Sequence, residues 1–245
     1  MQSYLDSQIE QLQSIIDSSN KIVFFTGAGI STESNIPDFR SSDGLYNQKY
    51  KYPPEFIISH DFFLENPYEF YRFYRDRMIY PDAKPNQAHI KMAQLEQKGK
   101  VLAVVTQNID DLHQKAGSKV VYELHGTVMK NYCTKCHKFY SLDDIIKMDT
   151  VPLCDCSGII KPDVVLYQEA LNQDVIEASI DAISQADCLI VCGTSLVVYP
   201  AASFVNYFNG KNLVVINLSS TSINSRANLV INAKVGEVLS KIKVD

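Results

Sequence analysis

No run of about eighteen apolar residues occurs in this chain, so no transmembrane helix and no membrane partner is expected. Residues 1–19, MQSYLDSQIEQLQSIIDSS, lack a basic start followed by an apolar stretch. No signal peptide is therefore expected, and a cytoplasmic location is the default. Positive charge is also short. The net charge is −5, which counts against a dedicated nucleic-acid binder. No internal repeat and no low-complexity segment is found. What is present is a chain of 245 residues that is 46% hydrophobic and 21% charged. Such a chain can bury a substantial core, as one domain or as a main domain with a smaller insertion.

Hydrophobic spacing sets out an α/β order. Leu5, Ile9, Leu12, Ile15 and Ile16 predict an amphipathic helix over 3–19. Buried strands are predicted at Ile22–Phe25, Val101–Val105, Val120–Leu124, Cys188–Cys192 and Leu213–Ile216, with a short one near 228–231. Helices are expected over 61–80, 172–185 and 199–208 and at the C-terminus, and 34–60 reads as a long functional loop. Strands alternating with helices imply a parallel sheet covered on both faces. Residues 127–168 change character and read as a small inserted module. The main domain then comprises 1–126 and 169–245, with the 34–80 segment packed beside the module.

Four of these strands stop at small or polar groups: Gly27-Ala28-Gly29, Thr106-Gln107-Asn108, His125-Gly126 and Gly193-Thr194-Ser195. Ligands of open parallel sheets bind at the carboxyl ends of strands. Each motif has an ordinary reading as well. Gly27-Ala28-Gly29 suits a diphosphate, or is only a tight turn. Gly193-Thr194-Ser195 could hold phosphate or ribose, or cap a helix. Asn217 could meet ribose or adenine, or serve a turn. Asp110 could accept from a carboxamide, or Asn108 and Asp110 could cap the next helix. His125 ends a buried strand beside a glycine and is the best general-base candidate, although a lone histidine is often structural. The third glycine of the usual dinucleotide turn is missing, with Thr32 at that place. No acidic residue closes a second strand about twenty residues later, which counts against a nicotinamide oxidoreductase.

Cysteines 133, 136, 154 and 156 cluster, whereas Cys188 and Cys192 lie in an apolar run and read as packed hydrophobes. Four thiolates suit a closed, structural tetrahedral zinc site. Reduced structural thiols, or a shell completed by His137 or Asp155, are the alternatives.

Taken together, the chain resembles the sirtuin family of NAD-dependent protein deacylases from about residue 20 to 242, in its bacterial form with a bare catalytic core. The resemblance rests on GAGIS at 27–31, IPDFR at 36–40, TQNID at 106–110, LHQKAG at 112–117, HG at 125–126, the cysteine module, KPDVV at 161–165 and GTSLVVYP at 193–200. It implies a Rossmann-like sheet with an inserted zinc module, with NAD and zinc bound. It also implies acylated-lysine proteins as substrates. The sequence itself does not give the oligomeric state, and a monomer is the working expectation. By resemblance, Ala28, Thr32 and Arg40 line the diphosphate, and Phe39 shields the nicotinamide or the sugar. Ile109 and Asp110 hold the carboxamide, and Gln107 and Asn108 serve the nicotinamide ribose and a water. Gly193, Thr194, Ser195 and Asn217 hold the adenosine half, with Lys234 near the adenine. Val164 and Val165 pair with the substrate backbone. His125, with Asn108 and Asp110, would carry the catalysis.

Three features depart from the family pattern. The second cysteine pair is one residue shorter than usual, Tyr167-Gln168-Glu169 replaces Phe-Gly-Glu, and Lys234 replaces an Asp. Acidic-acyl members pair a Tyr with an Arg three residues on. Here Tyr71 and Arg75 stand four apart, sharing a helix face or merely a solvated one. Acetyl or a longer fatty acyl group is the default substrate. A mono-ADP-ribosyltransferase and a non-catalytic NAD sensor are the competing readings.

Overall fold

Apolar spacing becomes structure first at α1 (Gln2–Ser18), whose Ile9, Leu12 and Ile16 are buried. The computed structural model describes residues 2–39, 44 and 50–244. Six parallel strands form the main sheet: β1 (Ile22–Thr26), β2 (Val101–Thr106), β3 (Val121–Glu123), β7 (Cys188–Cys192), β8 (Asn212–Ile216) and β9 (Leu229–Ile231). Their order is β3-β2-β1-β7-β8-β9. Alternate residues feed opposite faces. Ile22, Phe24, Cys188 and Ile190 enter one apolar cluster, and Val23, Phe25, Leu189 and Val191 the other. The first cluster lies under α1, α5 (Gln87–Gln97) and α9 (Val235–Ser240), and the second under α8 (Gln173–Gln185) and a 3₁₀ helix at Ala201–Tyr207. Each fully buried large aliphatic or Phe side chain contributes about 1.5–3 kcal/mol, so the two-sided sheet is the stable centre of the molecule.

A second, antiparallel sheet of order β5-β4-β6 comprises β4 (Gly126–Cys133), β5 (Phe139–Ser141) and β6 (Ile160–Val164). It leaves and rejoins the main sheet through one strand pair, in which Gly126 faces Val164. A Cβ on Gly126 would lie 1.9 Å from the Asp163 carbonyl oxygen, and φ there is +72°, so only glycine fits. The small sheet, with α7 (Leu142–Lys147), shares a third core with α2 (Pro54–Ile57), α3 (His60–Glu65) and α4 (Pro67–Arg77).

The structure differs from the sequence reading at several elements: α2 lies within the segment expected as a loop over 34–60, and β3 is shorter than the expected Val120–Leu124 and only half-buried. The helix expected over 61–80 is two helices. Asn66 caps α4 by accepting the Glu69 N–H at 3.2 Å, and Pro67, without an N–H, cannot continue α3. The segment expected as a helix over 199–208 is the 3₁₀ helix after Pro200. Helix α5 had no counterpart in the reading. It starts at Asn86, whose Oδ1 accepts the Ala88 N–H at 2.9 Å.

Candidate active site

The strand order reverses at β1, which lies between β2 and β7. A crevice opens outside the carboxyl ends at such a switch point. Here it is a cleft of about 430 Å³ lined from four strand ends: Gly27–Gly29, Gln107 with Asn108, Gly193–Ser195, and Asn217. Thr32, Phe39, His125 and Lys234 line it as well. The close approach usually served by a third glycine is made across the sheet by Gly193. A Cβ on Gly29 would meet the Gly193 carbonyl oxygen at 2.8 Å, and one on Gly193 would lie 2.4 Å from the Ile30 nitrogen. Gly193 has φ +58°, a left-handed value that favours glycine.

Hydroxyls expected at the ligand are partly engaged within the fold. Thr32 Oγ1 donates to the Gly29 carbonyl at 2.9 Å. Thr194 is buried, and its Oγ1 accepts from Gln107 Nε2 at 2.9 Å and from the Leu196 N–H at 3.2 Å. Ser195 is exposed, and Asn217 Nδ2 donates to the Ser219 carbonyl at 2.9 Å. Lys234 is exposed at the start of α9. Arg40 lies outside the described residues.

Two further pockets meet this cleft. One, of about 50 Å³, is lined by Ala28, Ser31, Phe39, Asn108, Ile109 and Asp110, among others. Asp110 Oδ2 accepts from Ser31 Oγ at 2.6 Å and its Oδ1 from the Leu112 N–H at 3.0 Å, while Asn108 Nδ2 donates to Ser31 Oγ at 3.0 Å. Burial pushes the Asp110 carboxyl above its ordinary pKa, and the Ser31 and Leu112 hydrogen bonds pull the other way. Asp110 Oδ1 thus holds the first N–H of α6 (Leu112–Ala116), whose N-cap position is Asp111, and the carboxyl also lines the small pocket. The other pocket is an apolar groove of about 190 Å³, walled by Val164–Glu169 on one side and Val198–Pro200 on the other.

Phe39 lines all three spaces, and His125 and Gln107 line both the large cleft and the groove. His125 Nδ1 lies 2.9 Å from the Gln107 carbonyl oxygen. A carbonyl only accepts, so Nδ1 carries the proton and Nε2 keeps its lone pair. Burial lowers the His125 pKa, and the Gln107 carbonyl opposes this in part. The imidazole is thus a neutral base at neutral pH, set where cleft and groove join.

Tyr71 and Arg75 do not line the groove. The Tyr71 hydroxyl donates to the Ile160 carbonyl, and Arg75 donates to the carbonyls of Thr150 and Met148. The guanidinium also sits over the Tyr71 ring, 5.3 Å from its centre. The pair fastens α4 to the small sheet; neither the solvated face nor the acyl contact weighed from sequence is what the fold uses. Val164 and Val165 do line the groove, but the Val165 N–H is already given to the His125 carbonyl at 2.9 Å.

Cys133, Cys136, Cys154 and Cys156 converge, with all four sulfurs within 4.8 Å of one another. The pairs 133–156, 136–156 and 136–154 are 3.4, 3.4 and 3.5 Å apart. A tetrahedron with Zn–S bonds near 2.3 Å has edges of roughly 3.8 Å, so the donor set fits one closed zinc site. The Lys135 and Cys136 amides donate to Cys133 Sγ, as suits a thiolate. The short second pair still reaches. Asp155 is turned to Lys138 Nζ at 2.6 Å, and the ligand group holds neither Asp155 nor His137.

The family model described as "Sir2 family" matches residues 27–200. The chain belongs to the Sir2 family. A Clostridium perfringens protein named NAD-dependent protein deacetylase is 58% identical, over 97% of this chain and 99% of that protein. A Staphylococcus aureus protein of the same name is 45% identical, over 98% and 99%. Among solved structures, a Sir2 variant with a deacetylated p53 peptide and 3'-O-acetyl ADP ribose aligns with TM-score 0.88 at 44% identity, covering 94% of this chain and 95% of that one. A Sir2 bound to acetylated peptide aligns with TM-score 0.83 at 42% identity over the same shares.

In this Sir2 chain one residue of the site went unnamed in the sequence reading. Ser31 is buried and joins Asn108 to Asp110. Its signal was a hydroxyl at the end of the GAGIS turn. Beneath it lies a second network. Thr26 Oγ1 donates to Thr106 Oγ1 at 2.9 Å and pairs with His113 Nε2 at 3.1 Å, and Thr106 Oγ1 accepts the Asn108 N–H at 3.1 Å. Neither threonine carries a sequence signal beyond ending a strand.

Proposed function

We propose that this chain is an NAD-dependent protein lysine deacylase, a deacetylase by default, that transfers the acyl group to ADP-ribose. The observation that carries this is the neutral His125, with Nδ1 fixed on the Gln107 carbonyl and the ring shared by a nucleotide-sized cleft and an apolar groove. Relatives named NAD-dependent protein deacetylase, matched over nearly their full length, support it.

The residues present fit NAD. Gly27–Gly29 let a diphosphate approach the start of the 3₁₀ helix Ala28–Ser34. Thr32 and Arg40 would meet the diphosphate. Gly193, Ser195, Asn217 and Lys234 would hold the adenosine half, with Thr194 acting through Gln107. Asp110 would accept a carboxamide N–H in the small pocket, beside Ile109 and Asn108. When bound, NAD supplies a ribosyl carbon that loses nicotinamide and takes the acyl oxygen. Phe39, at the junction of all three spaces, would keep water from that carbon. His125 Nε2 would take a proton from a ribose hydroxyl. The groove walls, including Val164 and Val165, would receive the peptide as an added strand. The four cysteines would hold zinc in a structural role, away from the reaction.

The proposal extends to organisation. Residues 127–168 form the inserted zinc module, and 1–126 with 169–245 the nucleotide domain. No helix among the described residues is long and apolar enough to cross a membrane. A cytoplasmic location suits reduced thiolates, and a monomer is expected by light scattering.

The test is nicotinamide release from NAD with unmodified, acetyl, succinyl, lipoyl and long-chain acyl-lysine peptides, followed by mass spectrometry, with His125→Ala beside the parent. Release tied to one acyl peptide, with O-acyl-ADP-ribose formed and lost in His125→Ala, is the expected result. ADP-ribose on protein without deacylation points to the transferase. NAD binding without release points to the sensor.

A further inference from the structure

One groove wall contains an unusual residue. Gln168 has φ +76°, a left-handed value that glycine adopts freely and a side chain resists. Its side chain grips α3 at two points. Its Oε1 accepts the Asp61 N–H at 3.1 Å, and its Nε2 donates to Asp61 Oδ2 at 2.8 Å. The amide can bind only this way round, since the opposite orientation would set donor against donor and acceptor against acceptor.

The neighbouring residues tie the same two segments. The Tyr167 N–H donates to the Ile58 carbonyl, and the His60 N–H to the Tyr167 carbonyl, both at 3.0 Å. Glu169 Oε1 pairs with His60 Nδ1 at 2.9 Å. Glu169 Oε2 accepts from Lys161 Nζ at 2.9 Å and from the Leu166 N–H at 2.8 Å. Leu166, Tyr167, Gln168 and Glu169 are themselves groove wall. An extended ligand gains affinity from a strand edge that is already in place, because ordering costs are then met before binding.

We propose that Gln168, through Asp61, is a positioning residue for the acyl-peptide groove, holding the segment Val165–Gln168, which follows β6, in its peptide-receiving form. This rests on the deacylase reading for the identity of the ligand. The two side-chain bonds offset the cost of the left-handed backbone, and a glycine, which avoids that cost, lacks the bonds and holds the wall less firmly.

The test is steady-state kinetics on an acetyl-lysine peptide and NAD, together with amide hydrogen exchange on the free protein. Gln168→Gly relieves the backbone and deletes both bonds, and Asp61→Ala deletes the carboxylate bond. Peptide KM is expected to rise about tenfold in Gln168→Gly and severalfold in Asp61→Ala, in keeping with one or two lost hydrogen bonds. kcat and NAD KM should stay within about twofold. The double variant should be no worse than Gln168→Gly, because the two residues act as one unit. Asp61→Asn keeps an acceptor for Gln168 Nε2 and should restore the parent KM. Exchange at the Tyr167 and His60 amides should speed up in Gln168→Gly and Asp61→Ala, but not in Asp61→Asn. Unchanged peptide KM, or a parallel loss in kcat and NAD KM, overturns the clamp. A parent without NAD-dependent deacylation defeats the deacylase reading instead, and the exchange rates then decide the clamp alone.

Discussion

Acid should destabilise this protein through a histidine pair that lines none of the three spaces of the site. His89 and His113 are buried, with ring centres 4.8 Å apart. Burial lowers the His89 pKa to about 4, and burial together with the neighbouring His89 lowers His113 well below its ordinary value. Both are neutral in the fold at pH 7, whereas in the unfolded chain each titrates near 6.5. Below that value the unfolded state binds more protons, so stability falls with pH, and for His89 the loss is complete only below about 4. Between pH 7 and 5 the loss is about 2 kcal/mol for His89, and His113 adds a loss of the same sign. Glu123 opposes it. Burial, the largest cause, raises its pKa to about 7, so the folded state takes up a proton there and gains about 2 kcal/mol over the same interval. A single curve for the parent therefore mixes opposing effects, and a difference measurement separates them. His89 occupies the third helical position of α5, where its Nδ1 accepts the Asn86 N–H at 3.3 Å. Glutamine suits that capping role without titrating. Urea unfolding of the parent and His89→Gln, followed by far-UV circular dichroism at pH 7 and pH 5 with metal held constant, gives the stability gap. The gap, parent minus variant, should shrink by about 2 kcal/mol on going from pH 7 to 5. A gap that stays constant or widens refutes the argument.

The pH dependence of turnover should show His125 directly: kcat/KM for peptide should hold at pH 6.5 and fall only below it, because the free-enzyme pKa is depressed. A limb above 6.5 would contradict the neutral base. Removing zinc with a chelator, or Cys154→Ser, should loosen the third core before the main sheet. Near-UV circular dichroism should lose the signal of Phe70, Tyr71 and Tyr74 while main-sheet amides stay protected from exchange. Gly193→Ala should weaken NAD binding and lower the melting temperature, since left-handed backbone costs an alanine about 1–2 kcal/mol and its Cβ would press on Ile30. Isothermal titration and a thermal melt would measure both.

The centre of the large sheet was legible because β1, β2, β7 and β8 are buried on both faces and read as unbroken apolar runs, whereas edge strand β3 is shorter than the expected Val120–Leu124 and only half-buried. Cys188–Cys192 was bounded correctly, and Ile22–Phe25 missed only Thr26. The strand ends were legible for the same reason, as the polar residues follow directly on the runs. Helix α5 was not, because His89, Met92 and Leu95 give a weak apolar stripe and its start depends on a cap. The role of Tyr71 and Arg75 was out of reach in principle. Helical spacing fixes which residues share a face, whereas the carbonyls they bind, at Ile160, Thr150 and Met148, arrive from far along the chain. Thr194 shows a subtler limit. Its place at a strand end was visible, but its hydroxyl serves Gln107 inside the fold.

The single strand pair at Gly126 and Val164 makes the small lobe a graftable unit. A lobe exchanged from Gly126 to Glu169 would carry its own four-cysteine cluster and the groove wall Val165–Glu169, which runs straight on from β6. The strand ends that line the large cleft would stay behind on the large sheet. The condition for a successful graft is a surface that accepts the aromatic face of α4, led by Phe70, Tyr71 and Tyr74. Choice of protein target and handling of the nucleotide can therefore diverge independently in this architecture, one by replacing a cassette and the other by changing loops.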